Sequence, residues 1–184
     1  MSKIALTPNA SGTGTLTIAA PNTSTDRTLT LPDSTGTVDT LSRAGNVLQV
    51  VNSSFSTYIS TTSSTFTDFG LNASITPTSA ANKILVLVGI NGLQRDGASG
   101  WGQLRLLRGS SFLSAIEGTA GYTGSSGSSG VGGVSINYLD SPSTTSSTNY
   151  KIQMATGGGS FLLNNYGTAG VISVSTMTLM EIAA

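Results

Sequence analysis

The sequence predicts an all-β fold, an antiparallel sandwich or jelly roll, and three observations support this prediction. Ser and Thr recur throughout the 184 residues, 23 glycines are spread among them, and only 9% of the residues are charged. Thr, Val and Ile favour the pleated surface of a sheet, whereas Gly and Ser favour turns. Short apolar or alternating stretches follow one another between these turn residues, and helix signals are essentially absent. About eight to ten strands are expected, as in a sandwich.

The first part of the chain contains two copies of one short unit. Residues 14–18 and 27–31 alternate Thr with Leu or Ile, and each copy is closed by Pro followed by Asn or Asp. Two such strands bury too little surface to be stable alone. We therefore expect residues 1–43 to be an arm that docks on another protein or trimerises with other copies. Its candidate interface residues are Leu16, Ile18, Leu29 and Leu31.

Residues 44–184 are expected to form a head domain, and its most informative stretch is 83–90. The sequence KILVLVGI is apolar on both faces, which is typical of a central strand covered on each side. One face would fill the sandwich core. The other face, which carries Leu85 and Leu87, would then meet another subunit, and this predicts an oligomer.

The remaining strands of the head alternate apolar and polar residues or have strand propensity. Gly109 and Ser110 predict a turn between two strands, and the triglycine 157–159 predicts a hairpin. In the last stretch, residues 172–182, the even positions are expected to face inward. The other expected strand stretches are residues 47–51, 55–69, 101–108, 112–116, 134–139, 150–154 and 160–163.

The composition excludes several classes of function. Without His or Cys, a Ser-His-Asp triad and a Cys/His zinc site are impossible. Eight basic residues balance eight acidic ones, which argues against a nucleic-acid partner because such a partner attracts a basic surface. The longest apolar run, residues 84–90, is far short of the roughly 20 residues of a membrane span. We expect no cofactor, no metal and no membrane insertion.

Two carboxylates are enough for glycoside cleavage, so two acidic residues that lie close together could form a catalytic pair. Asp96 and Glu117 lie in or near expected loops and could converge there. Asp140 is expected to cap a Ser-Pro turn, and Glu181 is expected to point outward from the last strand. The glycine-rich stretch 124–133 lacks the Lys and the helix of a phosphate-binding loop. These considerations predict a protein that is not an enzyme.

Isolated aromatic residues next to glycine-rich stretches are candidates for binding a receptor glycan. Trp101 follows Asp96 through a Gly-rich stretch, and Tyr122 lies in an expected loop, residues 119–133. Aromatic rings stack on sugar rings, while Asp can accept hydrogen bonds from sugar hydroxyls. The alternative for Trp101 is that it begins a strand and packs against the core or a neighbouring subunit.

Two blocks of the sequence resemble phage fibre proteins, especially those of marine and cyanobacterial phages. The first block, residues 12–36, contains GTGTLTIAAPN and RTLTLPDSTG; the second resembles their C-terminal domains at residues 75–86, 140–142 and 176–182. The resemblance implies a virion surface protein, made in the host cytoplasm and usually homotrimeric. It also implies a compact jelly-roll head of the TNF or C1q type.

The resemblance leaves the position on the virion open. A short trimeric tail fibre would contact a host surface glycan through the head, while the arm 1–43 binds tail or baseplate proteins. A capsid decoration protein would instead lock the same arm onto capsid subunits. A glycan-degrading appendage is a third alternative.

Overall fold

The computed structural model describes residues 43–97, 100–120, 129–165 and 173–184, together with positions 10–15, 17, 19, 22–26 and 28. Its contacts divide the chain into two units, Met1–Val38 and Asp39–Ala184. In the first unit the described positions have turn, bend or irregular backbone. The arm residues Leu16, Ile18, Leu29 and Leu31 lie outside the described residues, so the expected arm stays a prediction.

The second unit consists of β-strands, and every ladder between them is antiparallel. Among the described residues there is no helix, and therefore no helix that is long and apolar enough to cross a membrane. The strands are β1 (Val47–Phe55), β2 (Ile59–Thr61), β3 (Thr67–Ile75), β4 (Lys83–Asp96), β5 (Gly102–Arg108), β6 (Ser111–Ala120), β7 (Ser129–Asp140), β8 (Thr148–Thr156), β9 (Ser160–Leu163) and β10 (Ser175–Ile182).

The strands form two sheets with the winding of a jelly roll. Sheet A has the order β1-β10-β4-β9-β2, with β7 also paired to β4, and sheet B has the order β3-β8-β5-β6. The principal pairs are therefore nested from the outside of the sequence inward: β1 with β10, β3 with β8, β4 with β7, and β5 with β6. This nesting is how eight strands wind into a jelly roll. The predicted antiparallel sandwich is confirmed.

The core lies between the two sheets. Sheet A contributes Ile84, Val86, Val88 and Ile90 from the buried face of β4. Sheet B contributes side chains such as Phe69, Leu71, Leu104, Leu106, Tyr150 and Ile152. The predicted central position of the stretch 83–90 is confirmed, because β4 has partners on both edges.

β4 changes its partner along one of its edges. β7 pairs with β4 from Ile84 to Arg95, so it occupies one edge throughout. The opposite edge must then hold both β10, which pairs with residues 83–89, and β9, which pairs with residues 94–96. Between them, β4 bulges at Gly92, whose φ of 61° suits glycine. The amides of Asn164 and Asn165 donate to the carbonyls of Asn91 and Gly92, both at 3.0 Å.

The turn predicted at Gly109 and Ser110 is confirmed, and it joins two strands that pair as a hairpin. β5 and β6 are paired from Arg108 and Ser111 onward, and Gly109 has a φ of 57° in the turn. A positive φ is favourable for glycine and costly for residues with a β-carbon. β6 runs to Ala120 and β7 starts at Ser129, so strand structure covers both ends of the expected loop 119–133.

The hairpin predicted at the triglycine 157–159 is wrong. β8 belongs to sheet B and pairs with β3 and β5, whereas β9 belongs to sheet A and pairs with β2 and β4. The triglycine therefore crosses from one sheet to the other. Local turn chemistry is the same for a hairpin and for a crossing connection, and only the partners of the flanking strands distinguish them.

The inward face predicted for the last strand is also wrong. The fully buried residues of β10 are at odd positions, Met177, Leu179 and Glu181, and the even positions Thr178 and Met180 are only partly buried. Both faces of this strand carry apolar side chains, so alternation alone does not select the face. Pairing with β4 decides it, because Leu179 lies opposite Val86 and Met177 lies opposite Val88.

Candidate functional site

The outer face of sheet A, which points away from the core, carries a continuous apolar row across four strands. Val50 is paired with Met180, Met180 with Leu85, and Leu85 with Leu139. Directly paired residues on one face of a sheet lie side by side. Val50 is 56% exposed and Leu139 is 52% exposed, while Met180 and Leu85 are half-buried. We call these four residues the apolar row.

Apolar residues continue on both sides of this row. Leu87 lies one row further along the same face, flanked by Thr178 and Asn137. On the other side lie Val47 and Ile182, which are paired with each other. The interface candidates Leu85 and Leu87 are therefore placed together on a partly exposed apolar surface. The assignment of Leu85 and Leu87 to an oligomer interface stays a prediction.

The outer face of sheet B has the opposite character. Asp68, Gln153 and Arg105 are paired across β3, β8 and β5 and form what we call the charged row. Gln153 donates to Asp68 at 2.7 Å and accepts from Arg105 Nε at 2.9 Å, and Lys151 donates to Asp68 at 3.0 Å. The Arg105 guanidinium stacks on the Phe66 ring, 3.9 Å from its centroid.

These contacts stabilise the charge on Asp68. The hydrogen bond from Gln153, followed by that from Lys151, lowers the pKa of the Asp68 carboxyl below its usual value. The Asp68–Lys151 ion pair is largely exposed and therefore contributes little to folding stability. The charged row therefore gives the centre of this face a polar surface.

Glu181 lies in the core layer, so its expected outward orientation is wrong. Its Oε1 accepts hydrogen bonds from the Thr78 amide at 2.6 Å and from Asn82 Nδ2 at 2.7 Å, and its Oε2 accepts one from Gln49 Nε2 at 2.6 Å. Burial alone raises the pKa of this carboxyl, but the hydrogen bonds from Asn82, Gln49 and Thr78 outweigh burial and lower the pKa to about 2. These bonds occupy the carboxylate, so it is structural.

Asp140 is likewise occupied, and its expected role as a local turn cap is wrong. Its carboxylate accepts two hydrogen bonds from Arg108 Nη1, at 2.7 and 2.8 Å, and one from the Tyr150 hydroxyl at 2.6 Å. Asp140 ends β7 in sheet A, whereas Arg108 and Tyr150 belong to sheet B. The cluster therefore ties the two sheets together. Burial and the neighbouring Asp140 raise the pKa of Tyr150, which keeps its hydroxyl protonated.

The candidate catalytic pair is not brought into a defined site. Asp96 ends β4 opposite Ser160 of β9, and Glu117 lies opposite Leu104 in the ladder of β5 and β6. The two residues thus belong to different sheets. In the described part of the chain, no group of three or more acidic residues is close enough to hold a metal ion.

The glycan candidates Asp96 and Trp101 both border the triglycine 157–159. The Trp101 carbonyl accepts from the Gly157 amide and from Thr156 Oγ1, both at 2.9 Å, and its indole lies directly against Gly157. The Asp96 carbonyl lies against Gly159. Trp101 is half-buried and directly precedes β5. Tyr122 lies outside the described residues.

Sequence reasoning missed the polar residues around the bulge of β4, namely Asn91, Gln94 and Asn165. The available signal was Gly92, an isolated glycine inside a strand, which often marks a bulge. It also misassigned Asp140 and Glu181. Arg108 is 32 positions from Asp140, and Asn82 is 99 positions from Glu181, so no local pattern contains these pairs.

A scan against protein-family models and a search of curated proteins both found no match to this chain. Among solved structures, the chain is similar to the infectious bursal disease virus VP2 subviral particle, with a TM-score of 0.41 and 12% sequence identity. The alignment covers 74% of this chain but only 37% of that chain. Because this TM-score is low, the fold is assigned from strand order alone.

Proposed function

We propose that the chain is a non-enzymatic phage virion protein that assembles as a homotrimer, with the heads in contact through the outer face of sheet A. The observation that carries the proposal is the contrast between the two outer faces. Sheet A presents the apolar row, and sheet B presents the charged row. A sandwich that works alone in solution needs outer faces that are mainly polar, whereas the outer face of sheet A carries a continuous apolar row.

Burial of the apolar row supplies the driving force for association. Removal of apolar surface from water contributes about 25 cal/mol per Å². Exposed patches of this kind mark protein interaction surfaces. We propose that a second copy of the chain covers this face. The apolar row contains no charged residue, so it offers nothing to attract a partner of opposite charge. The face keeps polar residues such as Asn52, Thr178 and Asn137 beside Leu87, which suits the rim of an interface.

The non-enzymatic assignment is supported by the state of the described carboxylates. Glu181 and Asp140 are held by hydrogen bonds inside the sandwich, and Asp68 is paired with Lys151 on the charged row. A catalytic acid and base need access to a substrate and a shared cleft. If Asp96 and Glu117 nonetheless formed a depolymerase, Asp96→Ala would abolish release of reducing ends from host polysaccharide.

The proposed position is that of a short tail fibre, with the head in contact with the host surface. The arm, residues 1–43, would bind the tail or baseplate, and Asp96, Trp101 and Tyr122 would lie on the receptor side. The resemblance of residues 12–36 to phage fibre segments supports this position. A capsid decoration protein has the same architecture with the arm docked on the capsid. Antibody labelling of virions in electron micrographs distinguishes the two, since a fibre labels the tail and a decoration protein labels the whole capsid.

The assembly is tested with the full chain by native mass spectrometry. We expect a trimer for the wild type and dissociation for Leu85→Glu, which places a charge in the centre of the apolar row. Ser74→Glu is the matched control, because it adds the same charge to an exposed position of sheet B. Circular dichroism confirms that both variants are folded. A wild-type monomer, or a Leu85→Glu trimer as stable as the wild type, would overturn the proposed interface.

A further inference from the structure

The point at which β4 changes its partner opens into a pocket of about 580 Å³, which we call the bulge pocket. Asn91 and the backbone of Gly130 and Gly132 are exposed at its edge. Along this edge of β4, β10 pairs with residues 83–89 and β9 with residues 94–96, so residues 90–93 have no ladder partner there among the described strands. The lining residues are Asn91, Gly92, Leu93, Gln94, Gly130, Gly132, Asn165 and Ser173.

The polar groups of the bulge pocket are all uncharged. Asn165 Nδ2 donates to Gln94 Oε1 at 2.7 Å, and this hydrogen bond orients the Gln94 side-chain amide. The NH2 group of Gln94 then remains available to donate to a ligand. Asn91 Nδ2 donates to the Val174 carbonyl at 2.7 Å, so Asn91 Oδ1 is left as an acceptor. The pocket therefore offers an amide donor and an amide acceptor on side chains that are already oriented.

Ser173 adds a further polar group to the lining of the pocket, and this group has no hydrogen-bond partner among the described residues. Its side chain is only 5% exposed, yet its hydroxyl makes no hydrogen bond with any described residue. Such groups are rare in folded proteins, because an unsatisfied buried hydroxyl costs about 1–3 kcal/mol. A β-carbon placed on Gly92 would lie 2.8 Å from Ser173 Oγ, so the hydroxyl lies directly behind the bulge that lines the pocket.

We infer that the bulge pocket binds a neutral saccharide. Sugar hydroxyls both donate and accept hydrogen bonds, as the amides of Gln94 and Asn91 and the Ser173 hydroxyl require together. A phosphate, a carboxylate or a cation would need an opposite charge, and none of the described lining residues carries one. The volume lies within the usual range for a small-ligand pocket. Gly130 and Gly132 have no side chains, which leaves room for a sugar ring.

The bulge pocket is a different site from the surface at Asp96 and Trp101. The inference rests on the proposed function only in one respect, namely that the sugar would come from a host surface. The apolar row meets β4 at Leu85, and the pocket begins at Asn91. Six residues of extended strand separate these positions by about 20 Å. A trimer formed through the apolar row therefore leaves room for ligand at the other end of β4.

The experiment uses saturation-transfer NMR on the full-length protein with methyl glycosides of glucose, galactose, mannose and N-acetylglucosamine. We expect transfer to at least one of them, and its loss in Gly130→Phe. Gly130 lines the pocket, and a β-carbon there meets no atom within 4 Å, so we expect the Phe ring to occupy the pocket without a clash at its base. Ser146→Phe, in the exposed loop after β7, is the matched control and should bind like the wild type.

Two further variants separate this inference from the proposed assembly. Ser173→Ala should weaken binding several-fold, since it removes a hydrogen-bonding group without altering the shape of the pocket. Leu85→Glu should keep sugar binding even if it dissociates the proposed trimer, because Leu85 is not among the described lining residues. No transfer to any of the four glycosides, or transfer that persists in Gly130→Phe, would overturn the inference.

Discussion

Asn82 Nδ2 lies 2.7 Å from Glu181 Oε1, although 99 residues separate the two in sequence. The same carboxylate accepts from Gln49 on β1 and from Thr78 in the connection between β3 and β4. One buried acid thus links the last strand to its edge neighbour and to the connection that precedes the central strand. A charge in this position is tolerated because several donors replace the water that it has lost.

Replacement of Glu181 by Gln is expected to destabilise the head by about 2 kcal/mol at about pH 7, because an amide accepts fewer of these hydrogen bonds than a carboxylate. The folded pKa of about 2 lies below the ordinary value of 4.5. The stabilisation by Glu181 is therefore complete above about pH 5 and is lost as the pH falls towards 2. Urea unfolding at about pH 7 and about pH 3 should show a smaller difference between wild type and Glu181→Gln at the lower pH. An equal difference at both pH values would contradict this assignment.

Replacement of Tyr150 by Phe is expected to cost about 1–2 kcal/mol, because its hydroxyl donates to the buried Asp140 carboxylate at 2.6 Å. The loss leaves Asp140 with Arg108 as its remaining side-chain donor. Tyr138→Phe is the control, since the half-buried Tyr138 hydroxyl makes no hydrogen bond to a described residue. Chemical unfolding curves of the two variants should separate clearly. Similar midpoints would show that the contact between the sheets contributes little.

Substitution of Gly102 by Ala is expected to destabilise the fold by about 1–3 kcal/mol, as overpacked core positions do. The new β-carbon would collide with the ring of Phe161, which is completely buried and has no free space to enter. Gly130→Ala is the matched substitution, because its β-carbon would meet no neighbour. Thermal unfolding should place Gly130→Ala at or slightly above the wild type. A Gly102→Ala protein with wild-type stability would contradict the close approach of β5 and β9.

Because the odd positions of β10 face the core, we expect substitutions of Leu179 and Met180 to have different effects. Leu179→Ala should cost about 2–5 kcal/mol, since it empties a fully buried position. Met180→Ala should change the folding stability of the protein little, but it should weaken the proposed trimer because Met180 belongs to the apolar row. Unfolding in urea measures the first effect, and sedimentation at several protein concentrations measures the second. If Met180→Ala lowered the free energy of unfolding in urea more than Leu179→Ala, the even positions of β10 would be the inner face.

Much of the architecture could be read from the pattern of residues. The alternation and turn residues predicted an all-β sandwich and the turn between β5 and β6. The apolar stretch 83–90 predicted a central strand, because apolar side chains on both faces need cover on both sides. The excess apolar face, with Leu85 and Leu87, follows from the same stretch.

The sequence by itself determined that this chain forms strands, that it lacks His and Cys chemistry, and that it has more apolar strand surface than one core can bury. Only the tertiary structure decided which face of β10 is buried, where the triglycine leads, and which donors surround Glu181 and Asp140. The physical reason is that alternation and turns are local properties of a few residues. Sheet pairing, in contrast, joins residues about 100 positions apart and selects one face among alternatives that are locally equivalent.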